Sequence, residues 1–174
     1  LCALLNHAIE EGLIQSNPAQ KLGKFYKQAE VRHKEIEPLT TDEVPAFLTA
    51  VLERNGSRKF FSLFLCAIHT GLRSGELAAV KWGDIDWRGK FLTVRRSYVK
   101  GKVIEKTKTD KVRRVDLSDS LLSALKELRR DRRQEWLEKG RNEIPDWIFC
   151  NQEGNPADMH NLKNRHFFKC LEKA

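Results

Sequence analysis

The stretch Thr70-Gly71-Leu72-Arg73-Ser74-Gly75-Glu76-Leu77 decides how this sequence is interpreted. It follows residues 60–68, which are apolar nearly all round and long enough to form a buried central helix. An arginine at the mouth of a packed helix is costly unless a carboxylate and an anionic ligand satisfy its donors. Two interpretations of Arg73 therefore stay open: a surface ion pair with Glu76, or a rigid guanidinium that grips a phosphate.

The sequence on both sides of this stretch predicts a mainly helical body. Thr40 and Glu43 form a capping-box pattern before apolar residues at helical spacing, so we expect a helix to begin near Thr41. Ser118 is the expected cap of a long helix that Gly140 ends. We interpret the basic run within that helix, at 129–133, as a solvated face. Further helices are expected at residues 1–13, just after Gly71, and at 159–171.

Strand signals begin where the apolar period shifts toward two. Residues 85–87 and 91–94 predict a hairpin across the Arg88-Gly89 turn. A second hairpin is predicted from a strand at 103–107 and a strand at 113–117, with a short strand at 147–150. The predicted fold class is therefore α+β, mainly helical with a small antiparallel basic sheet.

The positive charge is concentrated in one segment, residues 88–114. The whole chain has 32 Lys plus Arg against 24 Asp plus Glu, a formal charge of +8. Two acidic residues in this segment oppose eleven basic ones: Arg88, Lys90, Arg95, Arg96, Lys100, Lys102, Lys106, Lys108, Lys111, Arg113 and Arg114. Such a segment favours a polyanion as partner, with nucleic acid the commonest. The alternative is a charged edge strand that discourages aggregation, which needs far fewer charges.

Composition excludes several classes. With 174 residues, 40% apolar and 32% charged, the chain is neither disordered nor a typical membrane protein. No apolar run approaches the roughly 20 residues that span a bilayer, so no membrane partner is expected. The four cysteines have neither metal-ligand nor redox spacing, so we expect reduced thiols and no metal site.

Lys108 lies in Thr107-Lys108-Thr109-Asp110-Lys111, at the tip of the second predicted hairpin. Two roles stay open for it. It can contact DNA phosphates simply as a cation, or its ammonium can donate a proton to a leaving oxygen.

Three blocks together resemble the catalytic domain of the tyrosine recombinases, the phage-type integrases. These are the stretch at 70–77, Lys81-Trp82-Gly83-Asp84-Ile85-Asp86, and Thr107-Lys108-Thr109 before Arg113-Arg114-Val115-Asp116-Leu117. They stand in the family's order and at its spacing, and the resemblance covers essentially the whole chain.

The resemblance implies roles residue by residue. Arg73 matches the first catalytic arginine, which clamps the scissile phosphate, and Glu76 the acidic residue that supports it. Lys108 matches the general acid that protonates the departing 5′ hydroxyl. The family links DNA to a tyrosine through a 3′-phosphotyrosyl bond that keeps the bond energy, so no cofactor or metal is implied. Eight further residues are expected to contact double-stranded DNA: Arg95, Arg96, Lys100, Lys102, Lys106, Lys111, Arg113 and Arg114.

The resemblance also divides the chain. Residues 1–13 are similar to the last helix of a preceding core-binding domain, 14–39 to an interdomain linker, and 40–174 to the N-terminal part of the catalytic domain. The family's second arginine and nucleophilic tyrosine have no match, because Tyr26 and Tyr98 stand in other contexts. We therefore expect this chain to be a fragment that is monomeric and unable to cleave DNA alone. Full proteins of this cytoplasmic family assemble as a tetramer on DNA.

Two other function classes remain open at this point. A non-catalytic nucleic-acid-binding module would use the basic sheet as its whole function. A structural or interaction domain would carry the basic face incidentally, and its binding to DNA would be absent or insensitive to salt.

Overall fold

The computed structural model describes residues 2–20, 38–55, 58–105 and 112–174. The chain forms two compact units, Leu1–Pro38 and Leu39–Ala174. Within the described residues, no helix combines the length and the apolar character needed to cross a membrane. Predictions that fall on the remaining residues, including those for Lys106, Lys108 and Lys111, lie outside the described residues.

The first unit contains helix α1, Cys2–Glu10. The turn that follows is held by the buried Asn17, whose Nδ2 donates to the carbonyl of Cys2 at 3.2 Å. The Asn17 Oδ1 accepts from the amide of Ala19 at 2.8 Å. One amide side chain therefore joins the start of α1 to the turn behind it.

The second unit is built around three packed helices: α2 (Glu43–Asn55), α3 (Arg58–Thr70) and α5 (Asp119–Glu138). Its apolar core includes Phe47 from α2, Phe64 from α3 and Leu121 from α5, all buried. The rings of Phe47 and Phe64 meet edge to face with centroids 5.3 Å apart. The helices of this unit are α2 Glu43–Asn55, α3 Arg58–Thr70, α4 Ser74–Ala78, α5 Asp119–Glu138, α6 Met159–Leu162 and α7 Phe168–Leu171. A π-helical turn, Lys163–Phe167, joins the last two.

Local capping explains where two of these helices begin. The backbone amide of Thr40 donates to Glu43 Oε2 at 2.8 Å, and the amide of Glu43 donates to Thr40 Oγ1 at 3.4 Å. The predicted capping box is confirmed, although α2 begins at Glu43 and not at Thr41. Ser118 caps α5 as predicted, since its Oγ accepts from the amide of Leu121 at 3.3 Å.

The strands form two antiparallel sheets. One sheet has the order β1-β2-β5, from Ile85–Asp86, Phe91–Val94 and Arg113–Asp116. The other pairs β3, Ser97–Val99, with β4, Lys102–Ile104. The central strand β2 registers Leu92 against Ile85 on one side and Val115 on the other.

The predicted second hairpin is wrong in its pairing. In the described residues, β4 pairs with β3, and β5 pairs with β2 across a longer sequence separation. The strand at 97–99 was missed because the neighbouring basic residues obscure its alternation. Once β3 is present, β4 has a partner close in sequence, and β5 completes the first sheet.

One smaller prediction is wrong, and another is wrong at a single residue. Residues 147–150 form no strand but only the isolated bridges Lys81–Trp147 and Cys150–Pro156. The predicted solvated face at 129–133 fails only at Arg132, which is 4% exposed because it lies on the core side of α5, whereas Arg129, Arg130 and Arg133 are exposed. The Arg132 guanidinium binds Glu135 at 3.2 Å and lies over the Trp136 ring, which offsets part of the cost of burying its charge.

Candidate functional site

The corner between α3 and α4 presents Arg73. Gly71 ends α3 in the left-handed region at φ 60°, and its amide donates to the carbonyl of Ala67 at 3.0 Å. A residue with a Cβ is strained in this conformation, which explains the glycine after a buried helix. Arg73 then begins α4, with its own amide donating to Glu76 Oε2 at 2.9 Å. The backbone around Arg73 is therefore fixed on both sides.

Glu76 is the buried centre of the site. Its side chain is 2% exposed and accepts from two arginines. Arg113 on β5 donates Nη1 to Oε1 at 2.9 Å and Nη2 to Oε2 at 2.7 Å. Arg73 donates Nη1 to Oε1 at 3.2 Å. The Arg113 guanidinium, opposed by burial and helped by Arg73, lowers the pKa of Glu76 to about 2, so the carboxylate is charged at neutral pH.

Arg73 keeps much of its charge available to solvent. Its side chain is 55% exposed, whereas the carboxylate that holds it is buried. Within the described residues, Nη1 is the one side-chain donor of Arg73 bonded to a carboxylate. The remaining donors of a guanidinium form a planar fork that matches two oxygens of a phosphate. We refer to Arg73, Glu76 and Arg113 as the arginine cluster.

A close backbone approach places the β3–β4 hairpin beside this cluster. A Cβ built on Gly75 of α4 would lie 2.6 Å from Ser97 Oγ and 2.9 Å from the carbonyl oxygen of Tyr98. Only glycine lets β3 pack this closely against α4. The hairpin turn, at Lys100-Gly101, carries the exposed side chains of Lys100 and Lys102.

Asp84 forms a second buried anchor. Its carboxylate is held by the Nη2 of Arg96 and by the Nε of Arg95, the latter at 3.3 Å. The amide of Lys81 also donates to Asp84 Oδ2 at 2.9 Å. The Arg96 side chain is only 12% exposed, so its guanidinium is largely buried against Asp84. The Arg95 side chain, in contrast, stays half-exposed. These bonds fix the chain where it passes from β2 to β3.

Of the other residues predicted to contact DNA, some are described by the structure and some lie outside the described residues. Arg114 is exposed, with its guanidinium 4.6 Å from the centroid of the Phe91 ring. Lys106, Lys108 and Lys111 lie outside the described residues, so the meeting of Arg73 and Lys108 on one phosphate stays a prediction. The role of Arg113 as a partner of Glu76 was missed, because the two are separated by 37 positions and no local spacing links them.

The cysteines lie apart from this cluster. All four are free thiols, and Cys66, Cys150 and Cys170 are buried. Burial raises the pKa of the Cys66 thiol to about 12, so it is neutral. Among residues 2–20, 38–55, 58–105 and 112–174, no group of three His, Cys, Asp or Glu side chains is arranged to hold a metal.

The structure thus places an arginine held on a buried glutamate beside a small antiparallel sheet. Residues 37–174 match the phage integrase family, so the chain belongs to that family. The family resemblance of the three sequence blocks is thereby confirmed.

Two curated relatives support this family assignment. The chain is 31% identical over 194 residues to a tyrosine recombinase XerC-like protein of Caldanaerobacter subterraneus subsp. tengcongensis, covering 100% of this chain and 48% of the relative. It is 34% identical over 128 residues to prophage integrase IntR of Escherichia coli K12, covering 73% of this chain and 29% of that protein. The chain therefore spans less than half the length of these two relatives.

Solved structures show the same fold. A Tn1549 transposon integrase in complex with transposon right end DNA has a TM-score of 0.77 at 20% identity, covering 99% of this chain and 55% of that one. A lambda integrase tetramer bound to a Holliday junction has a TM-score of 0.64 at 20% identity, covering 99% and 44%. The predicted α+β class is confirmed.

Proposed function

We propose that this chain forms part of a site-specific tyrosine recombinase and binds double-stranded DNA through its basic face. The observation that carries the proposal is the half-exposed Arg73 guanidinium held on the buried, charged Glu76. A rigid cation of this kind suits a phosphodiester that gains negative charge in a transition state. Family membership and the DNA-bound relatives of the same fold support the choice of DNA.

The proposed reaction uses a tyrosine hydroxyl that attacks a DNA phosphorus and displaces the 5′ oxygen. The product is a 3′-phosphotyrosyl bond, which the freed 5′ hydroxyl of a partner strand later attacks. Arg73 would bind the non-bridging oxygens, and Glu76 would hold that guanidinium in place. Lys108 would give its proton to the departing 5′ oxygen.

The domain assignment follows the same proposal. We assign residues 1–13 to the last helix of a core-binding domain, 14–39 to a linker and 40–174 to the catalytic domain. A full protein of this kind would act in the cytoplasm as a tetramer on paired DNA sites. Three of the eleven cations of segment 88–114 lie on described strands: Lys102 on β4, and Arg113 and Arg114 on β5.

Duplex binding at several salt concentrations tests the proposal. If about five basic side chains contact phosphates, log K falls with log salt at a slope near −4.5, a loss of about 500-fold between 50 and 200 mM. Absent binding, or binding with a flat salt response, would contradict it. A nicked suicide duplex should give no covalent adduct with this chain, since neither Tyr26 nor Tyr98 stands in the nucleophile's context.

A further inference from the structure

The exposed side of α5 carries four cations in line. Lys126, Arg129, Arg130 and Arg133 are all exposed, and the first and last of them lie three or four positions from the middle pair. At 1.5 Å per residue they share one helix face over about 10 Å. Together with Trp87 of the β1–β2 turn they line an open groove of about 740 Å³. We call these four residues the α5 stripe.

Two acidic residues of α5 are held toward α3. Arg58 of α3 binds Glu127 through Nε at 3.2 Å and Asp131 through Nη1 at 3.0 Å. Arg130 reaches Asp131 only at 3.8 Å. Two carboxylates of this helix are therefore drawn toward α3, while the four cations of the stripe line the groove.

The stripe is poorly neutralised. In the part of the chain that the structure describes, no carboxylate lies within 4 Å of Lys126 or Arg133. Glu143 is the single acidic residue among the described residues that line the groove. Like charges three and four positions apart on a helix repel each other. An anionic ligand that spans several of them would remove this repulsion.

We infer that the α5 stripe binds the phosphate backbone of duplex DNA as a second contact, outside the arginine cluster. Each strand of B-DNA presents one phosphate per 3.4 Å of helix axis, so a stripe of about 10 Å faces about three phosphates. Three of the four cations are arginines, whose forks grip phosphate oxygens in pairs. An open groove suits an extended polyanion, and the choice of DNA rests on the proposed function.

The inference gives a ligand to a run that the sequence predicted as a solvated face. No residue of the arginine cluster lines the groove. The stripe begins eight positions after the Ser118 cap, which is about 12 Å along the helix axis.

The test compares two double variants of the whole chain. Lys126→Gln/Arg133→Gln removes two unpaired cations from the stripe. Arg54→Gln/Lys169→Gln is the matched control, since it removes one lysine and one arginine from exposed positions on α2 and α7. Thermal melting checks that both are folded. The readout is the salt slope of binding to a long random-sequence duplex, with a poly-glutamate peptide as a second probe.

We expect the stripe variant to lose about 1.8 from the slope, at 0.9 per lost phosphate contact, and the control variant to match the wild type. Equal slopes for all three proteins would overturn the inference and leave the proposed function standing. Weaker binding of poly-glutamate with an unchanged DNA slope would also overturn it, since the partner would then be an acidic protein segment. A wild type that binds no DNA would contradict both proposals.

Discussion

Glu76 joins elements that are far apart in the sequence. It caps α4 through the amide of Arg73, and it pairs with the guanidinium groups of Arg73 and Arg113. Because its carboxylate is buried, removal of its charge would leave two cations without their counterion. The same residue therefore contributes to the stability of the fold and to the orientation of Arg73.

Glu76→Gln should lower the free energy of unfolding at pH 7 by on the order of 2–3 kcal/mol. The pKa of Glu76 is lowered from 4.5 to about 2 in the folded state. Its stabilising effect is therefore complete above about pH 4.5 and is lost as the pH falls toward 2. Urea unfolding of wild type and variant should show a difference that shrinks across this range.

The exposed Glu153 provides the control for that measurement. Glu153→Gln should change stability by less than about 0.5 kcal/mol, because no ion pair involves it in the described residues. A Glu76 variant with a pH-independent deficit would show that lost packing, and not lost charge, is the cause.

For individual residues, the sequence predicted part of the arginine cluster. The pairing of Arg73 with Glu76 follows from their i,i+3 spacing, and the structure confirms the contact. The contribution of Arg113 depends on how β5 pairs with β2, and local spacing carries no information about that pairing. Arg95 and Arg96 looked equivalent in the sequence, yet the Arg96 side chain is mostly buried in an ion pair with the carboxylate of Asp84.

The packing of α4 against β3 depends on one glycine. Gly75→Ala should destabilise the protein by about 1–3 kcal/mol, because the new methyl would overlap Ser97 and the backbone of Tyr98. Gly83→Ala is the matched control, since a Cβ there meets nothing within 4 Å. Chemical denaturation of both variants is the measurement, and equal stabilities would contradict the close approach of β3 to Gly75.

Element boundaries were predictable where capping and glycine signals are local. The starts of α2 and α5 and the end of α3 follow from Thr40, Ser118 and Gly71. Strand pairing was not predictable in the same way, since basic side chains obscure the alternation of β3 and β4. The buried guanidinium of Arg132 was missed because a run of charged residues hides the one that faces the core.

On the scale of the whole molecule, charge separates into distinct surfaces. The segment at 88–114 predicted one basic face, and three of its cations lie on described strands: Lys102 on β4, and Arg113 and Arg114 on β5. The α5 stripe lies outside that segment, and only the helix geometry brings its four cations into line. Family membership was predictable because the three sequence blocks are local, whereas their arrangement around Glu76 requires the folded chain.

The most direct test of the central claim is the salt slope of duplex binding by wild type, Arg73→Ala and the control Arg54→Ala. Arg73→Ala should stay folded, because Arg113 still provides two bonds to Glu76. If Arg73 holds a DNA phosphate, the wild-type slope lies near −4.5, and the variant's is less steep by about 0.9 while the control is unchanged. Identical slopes for wild type and Arg73→Ala, with both proteins folded, would contradict the claim that this guanidinium grips DNA.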